Sequence, residues 1–268
     1  MTTDNELPVR SISGLNSLPE RRRLAYIRAI IPPTLLDRFR ISPENLADSE
    51  GRPLVKWVGQ PGSSTVEISI FHKYAAQDPL MYFHLTDTMN LQIHVLLAVI
   101  NDPDGPRFDV DRMPDGSKTV FGFFKRNVEA EVAAFQAGLA PGQVRRGLRA
   151  LRGAVEAFES FITQLGHDMY FVEPLQYHNA VVFERYGFAY QQGKRWMQSL
   201  NTRFSPDGDL PAKLDGSTIF RQPEAVRSIR GRSWAIHDGI LGEPFTGVTM
   251  YKRVGQHAGI STFPDGVW

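Results

Sequence analysis

The sequence predicts an α+β fold: a mixed, mostly antiparallel sheet flanked by helices, with an N-terminal helical segment and a C-terminal β-rich extension. Three observations carry this. Residues 54–112 hold five runs rich in β-branched and aromatic residues, separated by turn residues. Residues 143–165 step their apolar side chains by four and three, the period of a helix with one buried face. Residues 167–190 read as strand, helix and strand, a unit that belongs to a sheet with helices packed on it. The expected organisation is a helical segment at 1–53, an α/β core at 54–190 and an extension at 191–268 packed on the core.

Bulk properties narrow the function classes. The chain has 268 residues, 42% of them hydrophobic and 22% charged, which allows a substantial core without metals or cross-links. It has no cysteine, so disulfides, thiolate catalysis and cysteine-ligated metals are excluded. A net charge of +1 disfavours nucleic acid as a partner. The apolar run at 95–100 is strand-sized, far short of the roughly 20 residues that span a bilayer, so no membrane is expected. The first ten residues lack the apolar core of a secretory signal, and a cytoplasmic protein is the expectation.

Taken in order, residues 1–18 are polar and expected to be loosely ordered. Residues 19–31 place Leu24, Ile27 and Ile31 at helical spacing behind a proline, and Pro33 can open a second helix at 34–39. Arg21, Arg22 and Arg23 read as a solvated helix face, with an anion contact as the alternative. Among the strands, VEISIF alternates as a half-buried strand should. HVLLAVI is nearly continuous, as a strand buried on both faces should be. Residues 101–106 are turn-forming and predict a hairpin into a fifth strand at 106–112. The acids Asp102, Asp104, Asp109, Asp111 and Asp115 do not have the spacing of a calcium-binding EF-hand loop.

Residues 120–124 (VFGFF) form a further apolar run. Asn127 is placed to cap a helix that carries Val128, Val132, Phe135 and Leu139 on one face. The long helix expected at 143–165 turns Val144, Leu148, Leu151, Val155, Phe158 and Ile162 inward. Arg145, Arg146, Arg149 and Arg152 crowd its first turns, against the helix macrodipole; an anion bound there would relieve them. A strand at 169–172 then leads through Glu173-Pro174 to a helix at 179–186, with Val182, Phe183 and Tyr186 on one face and Gly187 as its stop. Beyond it, 194–200 is a short helix or strand, 201–216 a loop, and 218–220, 233–240 and 246–251 short strands.

FERYGF (Phe183–Phe188), after a strand and a polar loop, resembles the last motif of the GCN5-related N-acetyltransferases, which often reads Tyr-Glu-Lys-x-Gly-Phe. The resemblance implies a sheet of several antiparallel strands, then a strand that splays from its neighbour. It also implies a glycine-containing loop that opens a long helix and holds the pyrophosphate of acetyl-CoA or another acyl-CoA through backbone N–H groups. GQVRRGLRA has the corresponding place in this chain, so Gln143, Arg145, Arg146 and Gly147 are the implied phosphate contacts, and Asn179 and Phe183 the implied contacts along the pantetheine arm. The spacing departs from the family pattern: Val144 stands three positions before Gly147, where the family has Gln or Arg.

In that family an amine attacks the thioester while a base takes its proton, and a tyrosine commonly protonates the leaving thiolate. The tyrosine position is Phe183 here; Tyr186 lies three residues on, and Glu173 and His178 are the candidate bases. The expected function is therefore a divergent acyl-CoA-dependent N-acyltransferase acting on a small amine or metabolite. The alternative is an inactive member serving as a small-molecule or protein-binding module, the loss of the tyrosine at position 183 being its signature. A homodimer built on the C-terminal extension is one arrangement the sequence allows.

Two further clusters were weighed. His237-Asp238 could be a base with its orienting carboxylate, or a turn before Gly239. His72, His84 and His94 fall in successive strand runs without metal-ligand spacing, and no metal site is expected. Serine-hydrolase, P-loop and Rossmann fingerprints are absent.

Overall fold

A computed structural model describes residues 9–119 and 125–268; the apolar run expected at 120–124 lies outside them. Seven strands form one mostly antiparallel sheet flanked by helices. They are β1 (Val55–Val58), β2 (Thr65–Ile70), β3 (Met81–Asp87), β4 (Ile93–Ile100), β5 (Met169–Val172), β6 (Ala189–Gln192) and β7 (Thr249–Arg253). Their order is β1-β2-β3-β4-β5-β7-β6. β1 to β4 are an antiparallel meander, and β5 joins β4 in parallel. Two compact units divide the chain. The first is Met1–Pro103, Gly147–Glu173 and Tyr251–His257; the second is Asp104–Arg146, Pro174–Met250 and Ala258–Trp268.

In the first unit the helices are α1 (Ile12–Asn16), α2 (Glu20–Ile30) and α3 (Pro33–Phe39), with α5 (Leu151–Gln164) entering later in the chain. α1 lies where loose chain was expected. It is pinned because Asp87 accepts hydrogen bonds from the Ile12 and Ser13 N–H groups at 2.7 and 3.0 Å, and Ile12 and Leu15 are fully buried. Asn16 donates to the Ser63 and Thr65 carbonyls and accepts from the Trp57 indole at 2.9 Å. A side chain at Gly59 would meet the Asn16 carboxamide at 2.1 Å, so only glycine fits that approach. α5 packs on α2 and lays Phe158 against Phe83 of β3, ring centroids 5.7 Å apart. Burying each such ring contributes about 1.5–3 kcal/mol.

In the second unit lie α4 (Val128–Gln136), α6 (Tyr177–Arg185), α7 (Lys194–Arg203) and α8 (Ile229–His237). Asn127 caps α4 as expected, accepting the Ala130 N–H at 3.2 Å. The buried positions of α4 are Glu131 and Ala134, not the expected Val128, which is 51% exposed. Gly187 stops α6 at φ 83°, as expected. The helix is rotated from the expected face, however: Tyr177, Ala180 and Val181 are buried while Val182, Phe183 and Tyr186 are half-buried.

Three expectations are corrected. Residues 106–112 are not a strand: Arg107 turns back onto Asp109 and Asp111, and the Val110 N–H bonds the Phe108 carbonyl two residues away, which leaves no ladder to build. The long helix begins at Leu151, not 143. Val144 instead joins the cluster around Val110, Ala134 and Leu139, its carbonyl accepts the Phe108 N–H at 2.8 Å, and Arg149 takes φ 56°. The extension is mainly helical rather than β-rich. Residues expected as a strand at 233–240 lie largely in α8, which Ser228 caps by accepting the Gly231 N–H, and only β7 remains of the three strands expected beyond 216. A short apolar run has no period that separates a buried helix from a buried strand.

Candidate active site

In the first unit, β4 and β5 pair in parallel through only two residue pairs, His94↔Phe171 and Val95↔Val172, with the Glu173 N–H closing on the Val95 carbonyl at 3.2 Å. β5 ends there. β4 runs on for residues 96–100, beyond the last residue paired with β5. On its other side β4 carries a bulge at the same level: Val95 opposes Leu85 and Leu97 opposes His84, so Leu96 is the extra residue. A bulge bends and overtwists its strand, and this one falls at the level where β5 ends. The result departs from the fully buried strand that HVLLAVI predicts. Leu96, Leu97, Val99 and Ile100 are only half-buried, and Ala98 is exposed.

The start of α5 belongs to the same unit. An intervening segment leaves the unit after Pro103, and the chain returns at Gly147, where an added Cβ would lie 3.6 Å from the Ile100 carbonyl. Gly147, four residues before α5, therefore stands beside the end of β4 although the two are far apart in sequence. The N-cap of α5 is Ala150, with no side-chain cap and no acidic residue in the first turn. Its first hydrogen bond is Ala154 N–H to the Ala150 carbonyl, so the N–H groups before it have no helical partner. Exposed Arg149 and Arg152 flank them. N–H groups without helical partners, the helix dipole and two guanidinium groups together give this helix start a positive potential.

The expected site residues are distributed as follows. Gln143 accepts the Ala140 N–H at 2.8 Å, Arg146 donates to the Ala137 carbonyl at 3.1 Å and Arg145 donates to the Gly105 carbonyl, all within the second unit. Gly147 stands beside Ile100. Glu173 is exposed at the exit of β5. His178 is buried in the first turn of α6, its Nδ1 2.8 Å from the Ser233 hydroxyl. Burial, with the nearby His237, pushes its pKa down to about 3, so it stays neutral and shut off from solvent. Asn179 is half-buried on the same turn. Phe183 packs against Phe188, centroids 4.9 Å apart, and Tyr186 is the half-buried C-cap of α6.

His237 does not pair with Asp238. Its Nε2 lies 2.9 Å from buried Glu131, whose other oxygen binds Arg126, while Asp238 accepts from Thr218 and Arg221 at 2.9 Å each and from Arg126 at 3.3 Å. Burial raises the Glu131 pKa, but the hydrogen bonds and charges of His237 and Arg126 outweigh it and leave the carboxyl below its ordinary range. Nothing in the sequence around Glu131 marks it as buried. His94 was visible only as one of three strand histidines; no cluster of metal-ligating residues occurs among the described residues. The described residues include no helix long and apolar enough to cross a membrane. Comparison of the chain with family models, with curated proteins and with solved structures gives no match.

Proposed function

We propose that the chain is an acyl-CoA-dependent N-acyltransferase of the GCN5-related kind, acting on a small amine or metabolite, with acetyl-CoA or another acyl-CoA as co-substrate. One observation carries the reading: β4 and β5 meet in parallel through two residue pairs, and β4 then runs on past the end of β5 with apolar residues only half-buried. A flat, extended apolar ligand with backbone amide groups suits such a gap, because the uncovered β4 edge offers N–H and C=O groups that have lost their partner strand. The uncapped start of α5 with Arg149 and Arg152 then suits the pyrophosphate at the ligand's charged end. On this reading Arg149 and Arg152, not Arg145 and Arg146, make the phosphate contacts, because the latter two are bonded to carbonyls of the second unit.

The test is thermal unfolding with acetyl-CoA. A ligand bound only by the native state at about 100 times its Kd adds about 2.7 kcal/mol. A clear rise in Tm is expected. The variant Arg149→Ala/Arg152→Ala is expected to need roughly tenfold or more coenzyme for the same rise, since a charge-assisted hydrogen bond contributes about 1.5–3 kcal/mol. No rise at millimolar acetyl-CoA removes the reading. A second reading, binding without turnover, is favoured by Phe183, whose ring cannot protonate a thiolate; a rise in Tm without thiol release on any amine would select it.

A further inference from the structure

Among the buried polar atoms of the first unit, the Nε2 of His94 has no hydrogen-bond partner. Leaving such an atom unpaired costs stability, and folded proteins seldom do so without a ligand, a water or a chemical role to account for it. The position is informative. His94 lies in the first of the two residue pairs that join β4 to β5, two residues before the bulged Leu96, where the pairing with β5 has ended. Its ring meets Phe171 of β5 edge-on, centroids 6.2 Å apart, and Phe171 in turn lies 6.5 Å from Tyr251 of β7. Glu173, two residues beyond Phe171, acts on the ring through its charge. The charged and titratable groups facing His94 are therefore Glu173 from the β5 side and, diagonally across β3, His84.

We propose that His94 is the base that takes the proton from the acceptor amine, and that Glu173 holds the acceptor's ammonium form beside it. The inference rests on the acyltransferase reading above and names its substrate class: a primary amine protonated at neutral pH, carried on a group that packs against Phe171 and Tyr251. His94 as a whole is half-buried, and on this proposal its side chain turns to present a ring nitrogen to the bound amine. The step balances. R–NH3⁺ gives one proton to the neutral imidazole. The freed amine nitrogen attacks the thioester carbonyl carbon, forming the C–N bond. The C–S bond breaks, its electron pair leaves on sulfur, and the thiolate takes up the second proton that the nitrogen sheds. The products are the amide, coenzyme A thiol and the imidazolium, which returns its proton to water.

A base must be unprotonated to act, so the rate should rise with pH through the His94 titration. Burial places that titration below the ordinary imidazole range, and Glu173 draws it partly back. The experiment follows thiol release from acetyl-CoA with tyramine, 1,4-diaminobutane and lysine amide as probe amines, in wild type and His94→Gln. Glutamine keeps a hydrogen-bonding group but cannot carry the proton. The expected result is a kcat lower by about 10²-fold or more, an unchanged KM for acetyl-CoA and loss of the acidic limb of the pH profile. A second measurement does not need turnover: the His94 imidazole proton signal, one of seven histidines and assigned by its loss in the variant, should shift when tyramine is added to the coenzyme-bound protein. An unchanged kcat and pH profile in His94→Gln overturns the assignment while leaving the acyltransferase reading standing. So does a static His94 signal at 10 mM of each probe amine, about ten times the upper end of ordinary substrate KM values. A wild-type protein that binds no acetyl-CoA overturns both.

Discussion

Two histidines, one in each unit, differ in how their ring nitrogens are paired. In the second unit, Glu131, Asp238, Arg126, Arg221 and His237 are joined into one hydrogen-bonded set, and His178 has the Ser233 hydroxyl at 2.8 Å. In the first, His94 has a ring nitrogen with no partner, and residues 96–100 of β4 extend past the end of β5. Both histidines are pushed toward the neutral form chiefly by burial, but only one has its hydrogen bond satisfied within the protein. A paired set such as that around Glu131 fixes local shape. Under the proposed function, the unpaired nitrogen of His94 serves the chemistry instead.

The largest test of that contrast is Glu131→Ala. Removing the carboxylate leaves Arg126 and His237 facing an empty buried site, and breaking such a pair costs about 3–5 kcal/mol. Urea denaturation at neutral pH should show the loss; a change under about 1 kcal/mol would mean that the set does not hold the unit.

A smaller effect separates the histidines by pH. The pKa of His178 is lowered in the fold to about 3, whereas the unfolded chain protonates it near about 6.5. A depressed folded pKa gives stability that is complete above the unfolded value and is lost as pH falls toward the folded one. Urea midpoints should therefore drop as pH goes from 7 to 4, and His178→Gln should flatten that slope. His94 contributes in the same direction, with part of its shift drawn back by Glu173. Depression of the Glu131 pKa adds a further loss below the ordinary carboxylate range.

The smallest expected effect on stability is Ala98→Trp. Ala98 is exposed although it opposes buried Phe83, and it lies on the part of β4 that runs past the end of β5. Substitution there should change stability by no more than about 0.5 kcal/mol. It should nonetheless abolish the acetyl-CoA rise in Tm by filling the gap. Full retention of that rise would move the coenzyme away from β4.

Much of the local structure was legible. The helices at 19–31 and 34–39, the four meander strands and the strand–helix–strand around Gly187 follow from period, proline placement and a required positive φ. The site was less so. GQVRRGLRA was read as the first turns of a helix because its apolar spacing continues that of α5, yet Val144 is drawn into another cluster and the helix waits until Leu151. That delay puts Arg149 and Arg152, rather than Arg145 and Arg146, beside the open N–H groups. Likewise HVLLAVI looks buried throughout, since composition cannot register that the neighbouring strand stops after Val172.

By itself the sequence determined the local choices: which stretches coil, which extend, where glycine and proline stop them, and that cysteine chemistry has no place here. These depend on residues a few positions apart, whose side-chain period and backbone freedom are written in order along the chain. Tertiary structure alone decided that β5 accompanies β4 for two residue pairs and no more, that Gly147 returns beside Ile100, and that Glu131 is buried between Arg126 and His237 while the Nε2 of His94 is left without a hydrogen bond. Those outcomes depend on partners tens of residues away, and neither period nor propensity carries information about a partner.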